Sequence, residues 1–183
     1  TGNTGSARLN RIFIDRKEDR DFIFLTPLDF FNEGVSNFLF TNTKSPITNL
    51  AYHSCGGSQN GEDRVRGNFA TNINKVSGVG FKLDYNYARG YYSNQNLSQF
   101  GAVLYGYYLG DRYNMHAYIN SNHLKNAENG GLAEDNYITE PWKYQQKFGS
   151  KDIPVNLSST WNRNDDETYY LTHRYNLGYD REI

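Results

Sequence analysis

The side chains that could carry catalysis or bind a metal are few and poorly spaced for either. The four histidines, His53, His116, His123 and His173, contain no i, i+4 pair and no HExxH spacing. His116 and His123 flank the outer end of one predicted strand, a weak basis for a metal site. Asp165, Asp166 and Glu167 form an acidic cluster in a predicted long loop. Such a cluster could take calcium at a rim, and a solvated loop is the plainer reading. Cys55 is the only cysteine, so an intrachain disulfide and a thiolate zinc site are both excluded. There is no GxSxG elbow, and the glycines at 56–61 lack the GK[ST] ending of a phosphate loop. The expectation is a protein that is not an enzyme and has no cofactor and no metal.

A different set of residues is informative, because its members alternate with apolar ones. Arg64, Arg66 and Asn68 fall on one face of an extended segment, and Val65, Phe69 and Ile73 on the other. In the next segment Lys82, Asp84 and Asn86 oppose Val79, Phe81, Leu83 and Tyr85. Further on, Met115 and Ile119 share an apolar face, and Arg174 sits on the polar side of the last segment. Polar residues in this pattern would line a wet lumen and apolar ones would face lipid. Charges in a lumen set a field that tunes solute preference. The set Arg64, Arg66, Lys82, Asp84 and Arg174 leans cationic and favours anionic solutes, unless cross-strand pairs such as Lys82 or Arg66 with Asp84 offset it.

Period-2 alternation of this kind specifies strands, and helical periodicity is weak throughout. Six strands are expected at 47–54, 64–74, 79–89, 100–109, 113–122 and 168–179. The third and fourth of these positions read differently: 79–89 alternates cleanly, whereas 100–109 carries tyrosine or aliphatics on both faces. Strands of about 9–11 residues are long for a soluble sheet and suit a tilted crossing of a bilayer. The links alternate in length. Those at 75–78 and 110–112 are short, and those at 55–63, 90–99 and 123–167 are long and polar. Up-and-down barrels in outer membranes sort their links in this way, with short turns at one end and longer loops at the other. Tyr91, Tyr92, Phe100, Tyr107, Tyr108 and Tyr113 would form aromatic girdles at the interfaces.

Residues 1–45 do not alternate. They contain a mixed-sign charge run at 15–21, a possible short strand at 22–25 and a possible helical turn at 29–34. This segment is read as a periplasmic, plug or poorly ordered region, and 46–183 as part of a barrel.

Composition agrees with these readings. The chain has 183 residues, 19 Lys plus Arg against 20 Asp plus Glu, and a formal net charge of −1, which argues against a nucleic-acid partner. Mean hydropathy is −0.80, and no apolar run is long enough for a spanning helix. Yet aromatics make up 16%, with 16 Tyr and 11 Phe, too many for a disordered chain.

Several runs resemble the Putative porin family of Bacteroidota. They are Asn42-Thr43-Lys44-Ser45-Pro46-Ile47-Thr48-Asn49-Leu50-Ala51-Tyr52, Ala88-Arg89-Gly90-Tyr91-Tyr92, Tyr105 through His116, Glu128-Asn129-Gly130-Gly131, Tyr137-Ile138-Thr139, Trp161-Asn162-Arg163 and Thr172 through Gly178. The resemblance implies an N-terminal fragment of a longer outer-membrane barrel with a signal peptide upstream. Implied partners are outer-membrane lipid, the remaining strands of the longer chain and small polar solutes that diffuse passively. It supplies no solute identity and no catalytic residues. The competing expectation is a soluble or surface β-sheet module that recognises glycans through loop aromatics, Tyr91, Tyr92, Trp142 and Trp161.

Overall fold

The computed structural model describes residues 3–16, 23–28, 34, 38–144 and 149–178. Six strands form one antiparallel meander: β1 (Ile47–Cys55), β2 (Glu62–Asn72), β3 (Ser77–Arg89), β4 (Asn96–Leu109), β5 (Tyr113–Glu128) and β6 (Thr160–Tyr175). This is the expected all-β fold, consistent with part of a barrel. It is not closed on its own: β1 pairs only with β2, and β6 only with β5, among the described residues.

The strands run longer than the alternation alone suggested, with 13 residues in β3, 14 in β4 and 16 in each of β5 and β6. The extra length comes from polar residues at the loop end. His123–Glu128 and Thr160–Glu167 look like loop by composition but pair residue for residue in the β5–β6 ladder. The link expected at 123–167 therefore shrinks to 129–159. Asp165, Asp166 and Glu167 are in strand β6 rather than in a loop, on alternating faces, so they do not converge on an ion. Trp161 likewise belongs to β6, not to a loop.

Short turns close one end of the sheet. At 73–76 the Asn74 carboxamide oxygen accepts the backbone N–H groups of Val76 and Ser77 at 2.9 and 2.8 Å, an Asx-type brace that fixes the reversal. The turn at 110–112 is closed by Gly110 N–H to Tyr113 O at 2.9 Å. The opposite end carries links 56–61, 90–95 and 129–159. The longest of these folds on itself. Gly130 and Gly131 adopt positive φ of 66° and 86°, where a side chain would be strained. That kink lets Leu132 bridge Val155 and lets the Asn156 amide donate to Gly130 O and Leu132 O. A short helix, α1 (Asn136–Thr139), and a 3₁₀ turn at Pro141–Lys143 complete the loop.

The described N-terminal residues lie across one face of the sheet, called here the covered face; among the described residues the opposite face is bare. Residues 23–28 form a 3₁₀ helix containing Pro27, not the short strand expected at 22–25. Proline lacks an N–H for a sheet ladder and suits a tight turn. Of the charge run at 15–21, only Asp15 and Arg16 are described. The helical turn expected at 29–34 lies outside the described residues apart from Gly34.

Candidate functional site

The two faces of the sheet differ sharply in chemistry. On the bare face, register aligns Thr48, Phe69, Phe81, Leu104, Ile119 and Tyr169 in one cross-strand row. Neighbouring rows add Leu50, Leu83, Val65, Tyr85, Phe100, Val79 and Leu171. Phe69 and Phe81 stack at 5.5 Å. Such large exposed side chains (Leu104 is 61% exposed, Leu171 64% and Tyr169 71%) form a contiguous apolar surface far beyond what a water-facing protein leaves uncovered. Val65, Phe69, Val79, Phe81, Leu83, Tyr85, Met115 and Ile119 all belong to this face. Ile73 does not, because it lies past the end of β2 in the turn at 73–76.

Charge enters the bare face towards the loop end, and on β6 it reaches into the rows of Leu50 and Val65 as Glu167 and Asp165. There Asp63 accepts from the Tyr52 and Ser54 hydroxyls at 2.8 Å each. The Tyr169 hydroxyl donates to Glu167 at 2.9 Å. His123 Nδ1 lies 2.7 Å from Asp165, which also takes Arg163. Each tyrosine thus rests its ring among apolar neighbours and points its hydroxyl at a polar margin, the placement amphipathic rings adopt at an interface. Tyr108, Tyr113 and Tyr175 occupy the turn end of the same face. Tyr107, expected beside them in a girdle, instead lies on the covered face, 4% exposed, with its hydroxyl on Asn72 at 2.7 Å. The alternation in β4 is strict, so adjacent tyrosines must part.

The covered face gathers Arg64, Arg66, Asn68, Lys82, Asp84, Asn86 and Arg174. Arg64 grips Asp84 through both donors of one guanidinium edge, Nε to Oδ1 at 2.8 Å and Nη2 to Oδ2. The sequence had suggested Lys82 or Arg66 for Asp84. Arg66 stands directly opposite Asp84 in register, but the two-pronged contact is made by its diagonal neighbour Arg64. Arg66 lies instead 3.3 Å from the His53 ring, and the Lys82 ammonium sits over the Phe38 ring at 4.3 Å, a cation–π contact. Arg174 stands opposite Asn114 at the turn end and helps line a ≈ 400 Å³ hollow with His116 and Thr172.

The N-terminal residues are tied to this face by specific contacts. Thr4 gives its N–H and hydroxyl to the Glu62 carboxylate. The Asn86 amide donates to Thr4 O at 2.9 Å. Leu28 packs with Leu97 and Leu124. Phe38 wedges among Tyr105 and Tyr118, centroids 5.2 and 4.6 Å away, and Phe40 meets His116 at 4.9 Å. Farther along, Asn72 receives the Thr43 N–H at 3.3 Å and donates to Asn42 at 2.9 Å. Between Thr4 and the first two strands a cavity of ≈ 570 Å³ remains, lined by His53, Glu62, Arg64, Arg66 and Asn86 among others.

Tyr105 and Tyr107 were missed as site residues because both parities of β4 carry aromatics. Their signal was on the neighbouring strand. The Tyr105 ring tip lies where a Cβ on Gly80 would be, 2.4 Å away, and Tyr107 does the same over Gly78 at 2.6 Å. The glycines of Gly78-Val79-Gly80 are the seats of these rings. Phe38 and Phe40 had no signal of that kind, since no period governs residues 1–45. At the loop end, the Lys151 ammonium donates to Gly90 O at 2.5 Å and Tyr92 O at 2.9 Å. Partial burial, and then the neighbouring Arg89, lower its pKa. Of the loop aromatics, Tyr91 packs edge-on against Tyr92 and Trp142 is exposed. Trp161 carries the Lys125 ammonium at 4.8 Å.

An antiparallel meander with one apolar and one polar face, long strands, and short and long links sorted to opposite ends is barrel-wall architecture. A family description, "Putative porin", matches residues 1–183, and the chain belongs to that family of porin proteins. No curated protein and no solved structure matches it.

Proposed function

We propose that this chain forms part of the wall of an outer-membrane channel. Its bare face meets lipid, and its covered face borders a polar lumen through which small solutes diffuse without chemistry. The observation that carries this reading is the bare face. The row from Thr48 on β1 to Tyr169 on β6, and the row beside it from Thr71 on β2 to Leu171 on β6, hold no Asp, Glu, Lys or Arg. In β4 the band runs from Phe100 to Tyr108, about 27 Å along the strand. With the usual tilt that is roughly 20–22 Å along the membrane normal, close to the ~25 Å band of such barrels.

The N-terminal residues then act as a plug or constriction, since they cover the lumen side rather than the lipid side. Their anchors span the length of the face, from Thr4–Glu62 at the loop end to Thr43–Asn72 at the turn end. The test is reconstitution of the native, membrane-extracted protein in liposomes. Small polar solutes should swell the vesicles at rates that fall with solute size. Full solubility and monodispersity without detergent, with no swelling, would overturn the proposal.

A further inference from the structure

Resting on the channel reading above, we propose that the covered face is a binding track for neutral polyhydroxylated solutes, sugars of one or two rings, and that Phe38 occupies the place a sugar ring takes.

Much of the charge on this face is engaged from within. Arg64 is held by Asp84, Arg66 lies against His53, Glu62 takes Thr4, and Lys82 is covered by the Phe38 ring. Asp84 and Glu62 offset part of the cationic lean read from the sequence, and the exposed Arg66 and Arg174 stand on β2 and β6, four strands apart, rather than as a cluster.

What remains is amide and aromatic. The oxygens of Asn68 and Asn86 and the hydroxyl of Tyr105 are shut off from solvent with no hydrogen-bond partner. Asn86 and Tyr105 are each 2% exposed. A permanent core satisfies such groups; these are left wanting by the segment that covers them. Hydroxyl-rich solutes supply the missing donors and acceptors in pairs, which a carboxamide meets well.

Beside these groups stands an aromatic wall. Tyr105, Tyr118 and Tyr170 align across β4, β5 and β6, and the last two rings stack at 5.3 Å. Phe38 tilts onto Tyr118 at 32°, so the wall already accepts a flat six-membered ring with an apolar face. The ≈ 570 Å³ cavity at the loop end falls within the size range of small-molecule sites and shares Asn86 with this surface.

Two measurements on the native detergent-extracted protein separate this inference from the channel reading. Single-channel recording in planar bilayers should show maltose, at millimolar concentration, interrupting the ion current in a saturable way. Lactobionate, an anion of similar size, should not. Calorimetric titration with maltose in detergent should give the same saturation whether or not the protein conducts. Asn68→Ala should weaken maltose binding between about three- and ten-fold, the loss of one hydrogen bond. Tyr118→Leu should weaken it at least as much, and Tyr118→Phe should restore most of it. Phe38→Ala should strengthen it, because the segment no longer competes. Should Tyr118→Leu fail to fold, the Asn68 and Phe38 variants still decide. Conductance without saturable maltose binding, or equal blockade by lactobionate, overturns the sugar track and leaves the channel standing. Maltose binding without conductance overturns the channel and leaves the track.

Discussion

At the scale of single residues, the covered face is organised by pairs in which one partner has no substitute. Arg64 and Asp84 are partly shielded, with side chains 27% and 35% exposed, and each neutralises the other on the covered face. In the assembled channel Asp84→Asn strands the guanidinium and should shift the reversal potential towards anion preference. Arg64→Ala should shift it the opposite way, and the double variant should return near the wild-type value. Bi-ionic reversal potentials measure all three. Gly80 is a second such position. A methyl there meets the Tyr105 ring at 2.4 Å and the Phe69 carbonyl at 2.6 Å, so neither neighbour can simply swing aside. Gly80→Ala should cost about 1–3 kcal/mol, the usual penalty of overpacking, read as an earlier thermal unfolding transition in detergent. Gly67, with nothing closer than 3.9 Å, is the matched control and should tolerate alanine.

At the scale of elements, legibility followed the period. Strands β2 and β3 were plain in the sequence because arginine, lysine and asparagine alternate there with valine, phenylalanine and leucine. Strand β4 was harder, since Tyr105, Tyr107 and Tyr108 say nothing about which face is wet; cross-strand glycines decided that. The ends of β5 and β6 were read as loop because both faces of those extensions are polar, and polarity without alternation carries no strand signal. The placement of residues 3–5 and 38–43 on the polar face was not legible at all, because it rests on long-range contacts such as Thr4–Glu62 and Phe38–Tyr118. The long loop is likewise a tertiary construction, clamped by Lys151 to the carbonyls of Gly90 and Tyr92. Replacing that ammonium by an apolar chain of similar length, Lys151→Met, should leave the sheet intact and free the loop. Limited proteolysis should then cut within 129–159 several-fold faster, while the barrel fragments keep their resistance.

At the scale of the whole molecule, the contrast between faces predicts a gradient. Arginine on the lipid side of such a barrel costs about 2–4 kcal/mol at the bilayer midplane and about 0–1 near the interfaces. Leu104 lies in the central apolar row, and Ser98, on the same face of the same strand, lies at the polar margin. Leu104→Arg should therefore destabilise the folded state in lipid by the larger amount and Ser98→Arg by the smaller, as measured by denaturant titration in vesicles. Equal costs would remove the lipid from the picture. The edges of β1 and β6, unpaired among the described residues, make a further prediction. Six strands do not close a ring, so the 183-residue chain alone should give no discrete channels in a planar bilayer.

The apolar band is not level across the sheet. On β1 it is centred at Leu50, whose row leads across to Glu167 on β6, yet on β6 the band is Tyr169, Leu171 and Tyr175. It therefore descends towards the turn end by roughly one residue per strand, which against the inter-strand spacing makes a pitch of about 35°. The sheet is threaded like a screw, and the pitch is written in side chains rather than in backbone. Any strand that pairs with β6 must carry its apolar residues one step lower still, and a partner with a level band would drive charge into hydrocarbon. The greasy stripe thus works as a ruler for register, dictating how the next piece of wall must be hung.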